Sequence, residues 1–86
     1  MAEQLIGRVT HYFGKVQVAG IEITEGELKV GDTVHIVGHT SDFSQPVESM
    51  QVDNAAVESA KVGDLVGIKV AEHAREHDQV YRVTPD

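Results

Sequence analysis

The sequence has no cysteine and no tryptophan. Without cysteine, neither a disulfide framework nor a thiolate metal site can form. Aromatic residues make up 5% of the chain, so any core must be built from aliphatic side chains. Proline occurs twice, too rarely for a polyproline segment. No long apolar run is present, which excludes a membrane-spanning helix of the usual kind. The first residues lack the charged-then-apolar plan of a signal peptide, and a cytoplasmic location is the expectation. Positive charge is scarce. Seven Lys and Arg stand against fourteen Asp and Glu, for a formal net charge of −7. A protein that holds phosphates by displacing counterions needs the opposite balance. Bulk RNA or DNA would be repelled at long range, and a local basic patch would have to be assembled from thinly scattered residues.

What remains is a short, aliphatic, β-leaning chain. At 86 residues it is read as one domain over residues 1–86. A domain of this size buries only ~60–65% of its unfolded surface, so its core must be small and well packed. Hydrophobic residues make up 41%, too many for a disordered segment. They are mainly Val and Ile, which favour strands.

One phrase recurs. Lys29-Val30-Gly31-Asp32 is followed by Thr33-Val34-His35-Ile36, and Lys61-Val62-Gly63-Asp64 by Leu65-Val66-Gly67-Ile68. Glycine supplies φ > 0 and aspartate bonds its own backbone, so Gly31-Asp32 and Gly63-Asp64 are structural turns. The period-two apolar residues after them mark strands with one buried face. A weaker echo, Arg75-Glu76-His77-Asp78, precedes Gln79 to Val83 and puts His77 where the other two have glycine. Taken in order, strands are expected over Gln4–Tyr12, Lys15–Ile23, Thr33–Gly38, Phe43–Asp53, Leu65–Ala71 and Gln79–Val83. Phe13-Gly14 is read as the first turn. Gly7 is a bulge candidate, and the register around Gly20 is left open. Pro46 cannot donate to a ladder, which places its part of the fourth strand at an edge or bulge. Asp53 to Lys61 is read as a single turn or loop, with Val57 and Ala60 covering one end of the core. Short strands separated by frequent turns argue for an all-β sandwich or barrel, and at this size for a closed barrel without edges.

Few residues carry chemistry. His73 and His77 have the i, i+4 spacing of a helical zinc pair, with Glu72, Glu76 and Asp78 nearby. A solvated loop is the simpler reading, and no metal site is assigned. His35 and His39 lie ~13 Å apart on a strand and cannot share an ion; they are read as outward-facing or end-of-strand. Glu22, Glu25 and Glu27 cluster near one hairpin but are read as solubilising charge. Ser41, Ser44, Ser49 and Ser59 sit in no G-x-S-x-G elbow. No catalytic residue and no cofactor is therefore assigned. The polar-aromatic run His11-Tyr12-Phe13-Gly14 either plugs the barrel end or presents an exposed tip to a partner. His11, Tyr12 and Phe13 are taken as the candidate contact.

The run from Gly14 through Gly20, on through Glu25 to Asp32, and the paired G-D-x-V phrases resemble the second domain of elongation factor Tu-type translational GTPases. The resemblance covers about Ile6 to Val83. It implies a single closed, six- or seven-stranded, Greek-key-like barrel, most like the short stand-alone translation elongation factor-like proteins. The phosphate loop G-x-x-x-x-G-K-[ST] is absent, so no guanine nucleotide is expected. Where the factors have a Gly-Thr pair and then an Arg, this chain has Val16-Gln17 and Glu22, and Glu25 replaces another basic position. These exchanges argue against aminoacyl-tRNA binding by the factor's route. The resemblance implies a non-catalytic binding module in translation or RNA metabolism, acting on protein or structured RNA. The alternative is a protein-interaction subunit of a larger enzyme, like the similar barrels appended to collagenase-like peptidases. Net charge favours a protein partner in either case.

Overall fold

Ten strands and no helix make up the described part of the chain, residues 2–84 of the computed structural model. They are β1 (Ala2–Phe13), β2 (Val18–Ile23), β3 (Glu27–Lys29), β4 (Thr33–Val37), β5 (Asp42–Pro46), β6 (Met50–Val52), β7 (Ala55–Val57), β8 (Ser59–Lys61), β9 (Leu65–Lys69) and β10 (Gln79–Thr84). Eight form one antiparallel sheet in the order β5-β4-β10-β1-β2-β9-β6-β7, and β3 pairs with β8 as a separate ribbon. All-β architecture is as expected. Closure is not: the ladder runs from β5 to β7 without joining its ends, so the closed six- or seven-stranded barrel is corrected to an open, barrel-like sheet. The reason is local. Pro46 ends β5 at the sheet edge, and the chain leaves the ladder there before re-entering as β6. Across the gap a side chain substitutes for a strand. The Gln45 amide donates to Lys69 O (2.8 Å) and accepts from Ala71 N (2.7 Å).

The core is aliphatic. Ile6 and Val9 from β1, Ala19, Ile21 and Ile23 from β2, Val34 and Ile36 from β4, Val66 and Ile68 from β9, and Val80 from β10 point inward. Leu28 and Ala60 bring the ribbon into the same cluster. This settles the register left open at Gly20. Ala19, Ile21 and Ile23 face the core, and the extra residue lies on β1 between Val9 and His11, not at Gly20. The second bulge, between Leu5 and Gly7, is where glycine marked it. A Cβ on Gly7 would lie 2.2 Å from Glu22 O.

Three further boundaries differ from expectation. The first hairpin closes on the Phe13–Val18 pair around Gly14 to Gln17, so β2 starts later than Lys15. The fourth strand is divided into β5 and β6. The segment read as a turn or loop from Asp53 to Lys61 is a hairpin arm, β7, followed by β8. Asp53 (φ 52°) and Asn54 (φ 65°) form its two-residue turn, the type I′ geometry that matches strand twist. Ala55 and Ala56 favour helix in isolation, but pairing with β6 overrides that weak preference.

The recurrent phrase is one structural device used three times. The Asp side chain accepts from the backbone N–H three residues earlier: Lys29 to Asp32, Lys61 to Asp64, Arg75 to Asp78, each 2.9 Å. The Asp N–H returns a bond to the same residue's carbonyl at 3.0, 2.9 and 3.1 Å. The third residue of each turn has φ > 0: Gly31 at 100°, Gly63 at 94°, His77 at 74°. A Cβ at Gly31 or Gly63 would meet nothing within 4 Å, so crowding plays no part there. Gly31→Val and Gly63→Val are each expected to cost about 1–3 kcal/mol through backbone strain alone. Thermal melts of both variants check this, and wild-type melting of both would refute the turn assignment.

Candidate apolar groove on the outer sheet face

Strand alternation splits the tip. His11 and Phe13 point outward, Phe13 with half its surface exposed, while Tyr12 turns toward the core and is partly buried against it. Tyr12 stacks on His73 with ring centroids 4.3 Å apart, and His11 meets Phe13 edge-on at 4.4 Å. The plug and contact readings thus fall on different residues: Tyr12 packs and Phe13 is free. Phe13→Ala is expected to change stability by no more than about 0.5 kcal/mol, as for a surface substitution. A melting curve checks it; a loss of about 3 kcal/mol or more would return Phe13 to the core.

Phe13 has company. Val16 from the β1–β2 loop and Leu65 from β9 are 59% and 60% exposed, and together with Val18 they line a shallow groove of about 450 Å³. Its floor is set by register. His11 on β1 pairs with Gly20 on β2, Gly20 with Gly67 on β9, and Gly67 with Gln51 on β6. The row above carries Glu22 and Leu65, and the row below carries Phe13, Val18 and Lys69. Asp53 and Asn54 of the type I′ turn stand at one end of the groove, and His11 at the other. His11 Nδ1 lies 3.6 Å from a Glu76 oxygen. Leu65, Val16, Gly20 and Gly67 were not named as contact residues from sequence, where Gly20 was a possible bulge and Gly67 a backbone device; the signal was a glycine in the middle of each of two strands, which becomes readable only once the strands are paired.

The other candidates are placed elsewhere. Glu22 is bound to Arg8 at 3.0 Å and Glu27 to Lys29 at 3.4 Å, both as surface ion pairs. Ser41 is buried and its Oγ has no hydrogen-bond partner, so no base touches it. His73 and His77 lie in the irregular stretch between β9 and β10 rather than on a helix, so the i, i+4 spacing does not put them on one face, and His73 stacks on Tyr12. Among the described residues no group of three or more His, Cys, Asp or Glu is arranged to hold a metal ion.

His35 lies on the outer face of β4, in opposite phase to the buried Val34 and Ile36, but it is not a free surface residue. It is half-buried, with Nδ1 3.0 Å from Glu3 and Nε2 2.5 Å from Asp42. It therefore ties β4 to β1 and to the edge strand β5, with the Tyr81 ring 6.4 Å away on β10. The hydrogen bonds to Asp42 and then Glu3 raise its pKa above the ordinary 6.5. A raised folded-state value means that the clamp stabilises fully below the unfolded pKa and is lost as pH rises through the folded one. Relative to His35→Gln, wild type should lose its stability advantage on going from pH 6 to well above 7. Denaturant titrations of both proteins across that range check it, and a flat difference would show the clamp to be inert.

Comparison with known proteins decides the family. The elongation factor Tu domain 2 family model matches residues 17–80. The chain belongs to that family. Its relatives point in a different functional direction. It is 46% identical over 77 residues to an uncharacterized protease of Methanocaldococcus jannaschii, covering 88% of this chain and 19% of the protease. It is 37% identical over 78 residues to a collagenase of Porphyromonas gingivalis, covering 90% of this chain and 22% of the collagenase. The chain thus spans about a fifth of the length of these relatives. In fold it matches the C-terminal domain of a Geobacillus thermoleovorans protein assigned as a U32 peptidase. The TM-score is 0.86 at 18% identity, over 94% of this chain and 93% of that one. The selenomethionine variant of that domain gives 0.84 at 19% identity, over 90% and 96%. At such identities the likeness speaks for the fold.

Proposed function

We propose that this chain is a non-catalytic accessory module of a U32-type peptidase, and that its partner is protein. The observation that supports this best is the 46% identity to about a fifth of a protease. A stretch that small, repeated in proteases and shaped like an isolated peptidase C-terminal domain, is a module set beside a catalytic body. The chemistry agrees. Three exposed apolar side chains, Phe13, Val16 and Leu65, gather at one open groove, a surface suited to contact with protein. A role in translation rests on the family's fold alone, whereas the curated relatives named above are proteases. Structured RNA as partner and binding of guanine nucleotide are both disfavoured, by the net charge of −7 and by the missing phosphate loop.

A domain exchange tests the reading. The matching 77 residues of the M. jannaschii protease are deleted, or replaced by this chain. Deletion should lower cleavage of a long polypeptide more than of a short reporter peptide. The chimera should recover the former, and the chain alone should cleave neither. A chimera no better than the deletion would overturn the proposal.

A further inference from the structure

Gly20 and Gly67 face each other at the centre of paired strands, where glycine weakens a strand unless something requires it. Of the other six glycines, Gly14 lies in the turn between β1 and β2, and the remaining five have requirements. Gly26, Gly31 and Gly63 have φ > 0, and a Cβ on Gly7 or Gly38 would collide at 2.2 or 1.8 Å. Gly20 has none: its φ is ordinary, and a Cβ there would sit 3.4 Å from Thr10 Oγ1 and 3.5 Å from His11 O, normal contact. At Gly67 a Cβ would be tight only against one Val18 methyl, at 3.2 Å. The fold does not force these positions bare, and both open onto the groove between Leu65 on one side and Phe13, Val16 and Val18 on the other. Two bare positions at the centre of the row, between apolar walls, are what close approach of another backbone needs.

We infer that this glycine-floored groove binds an extended polypeptide segment, apolar at its centre and basic at its ends, belonging to the substrate handled by the peptidase. The inference rests on the accessory-module reading above. Four strands at ~4.8 Å spacing give a floor of ~15 Å, the length of four or five extended residues. The ends define the charge. Asp53 stands at the β6–β7 turn and Glu76 beside His11, on a chain of net charge −7. The same charges repel phosphate and a second copy of this chain, which leaves a basic-ended peptide as the complementary occupant. Proline-rich extended segments suit the Phe13 side of the groove, because they lose little entropy on docking.

The test uses a fluorescein-labelled heptapeptide, Lys-Leu-Pro-Pro-Leu-Pro-Lys, titrated into the full chain and followed by anisotropy. Saturable binding is expected, with a counterpart carrying Glu for both Lys at least tenfold weaker. Gly20→Val fills the floor and should weaken binding at least tenfold while leaving the melting temperature within a few degrees. If that variant does not fold, Leu65→Glu, on a largely exposed side chain, serves in its place. Absence of saturable binding at millimolar protein would overturn the inference. So would equal affinity for the Glu peptide, or undiminished binding by a folded groove variant. The chimera described above, carrying Gly20→Val, separates the two claims. If it keeps full polypeptide cleavage, the groove assignment falls and the accessory role stands; if the unsubstituted chimera already fails, the accessory role falls first.

Discussion

Gly38→Ala is expected to lose about 3 kcal/mol or more and to melt roughly 10–20 °C below wild type. A Cβ on Gly38 would stand 1.8 Å from Asp78 Oδ1 and 2.4 Å from its carboxyl carbon. Asp78 has little freedom to move. It is 4% exposed, its Oδ2 accepts from Arg75 N, and its own carbonyl accepts from Val9 N at 2.8 Å. Shifting the carboxylate leaves the Arg75 N–H, in a part-buried bond, without its acceptor. It also loosens the third Asp turn, which starts β10. Overpacking and a lost charge-assisted hydrogen bond therefore act at one point. Gly20→Ala is the control, since its Cβ makes only ordinary contacts. Thermal melts of both variants check the contrast. Equal melting temperatures would mean that Asp78 relocates without loss and that the turn does not need it.

The same residues show what can be read from a sequence and what cannot. The Gly31-Asp32 and Gly63-Asp64 turns were legible because their chemistry is contained within four residues: an Asp oxygen, a backbone N–H and a φ that glycine permits. The third turn was legible by analogy, and His77 does adopt the left-handed conformation there. The crowding of Asp78 against Gly38 was not legible, because forty residues separate them and only the pairing of β4 with β10 brings them together. Openness of the sheet was hidden for a similar reason. Pro46 announced an edge, but nothing local to Gln45 announces that its amide will stand in for a strand against Lys69 and Ala71. The Asp53-Asn54 turn was missed through competition between two weak signals. Ala55-Ala56 favours helix by a few tenths of a kcal/mol per residue, less than the hairpin gains by pairing with Met50 to Val52.

The candidate surface was half legible. Phe13 beside a Gly turn could be picked out as an exposed anchor, and it is exposed. Tyr12 was grouped with it by adjacency, although neighbours on a strand point to opposite faces. Leu65 reads as the first apolar residue of a buried strand, but its phase places it outward, opposite Glu22, with Val66 and Ile68 buried after it. Leu65 gains meaning only beside Phe13 and Val16 in one groove, because exposed apolar residues scattered singly are normal on a protein surface.

Truncation at Gln79 is expected to unfold the domain outright. From sequence the last strand was expected to close the barrel; in the sheet order it instead lies between β4 and β1, and is needed there. Its removal would break both ladders, Gln79 to Val83 against Thr33 to Val37 and Gln79 to Thr84 against Ala2 to Arg8. Strands β4 and β5 would then be a detached two-stranded ribbon, which is marginal at best in water. Val80, fully buried in wild type, would leave a void against Ile6, Val9, Val34 and Ile36, in a core too small to absorb it. The clamp from His35 to Glu3 would lose the strand that spaces its two ends, since β10 lies between them. A proton NMR spectrum of the truncated chain should collapse to random-coil dispersion. A well-dispersed spectrum would show that β1 and β4 can pair directly, so that the sheet order seen here is one of two that this sequence supports.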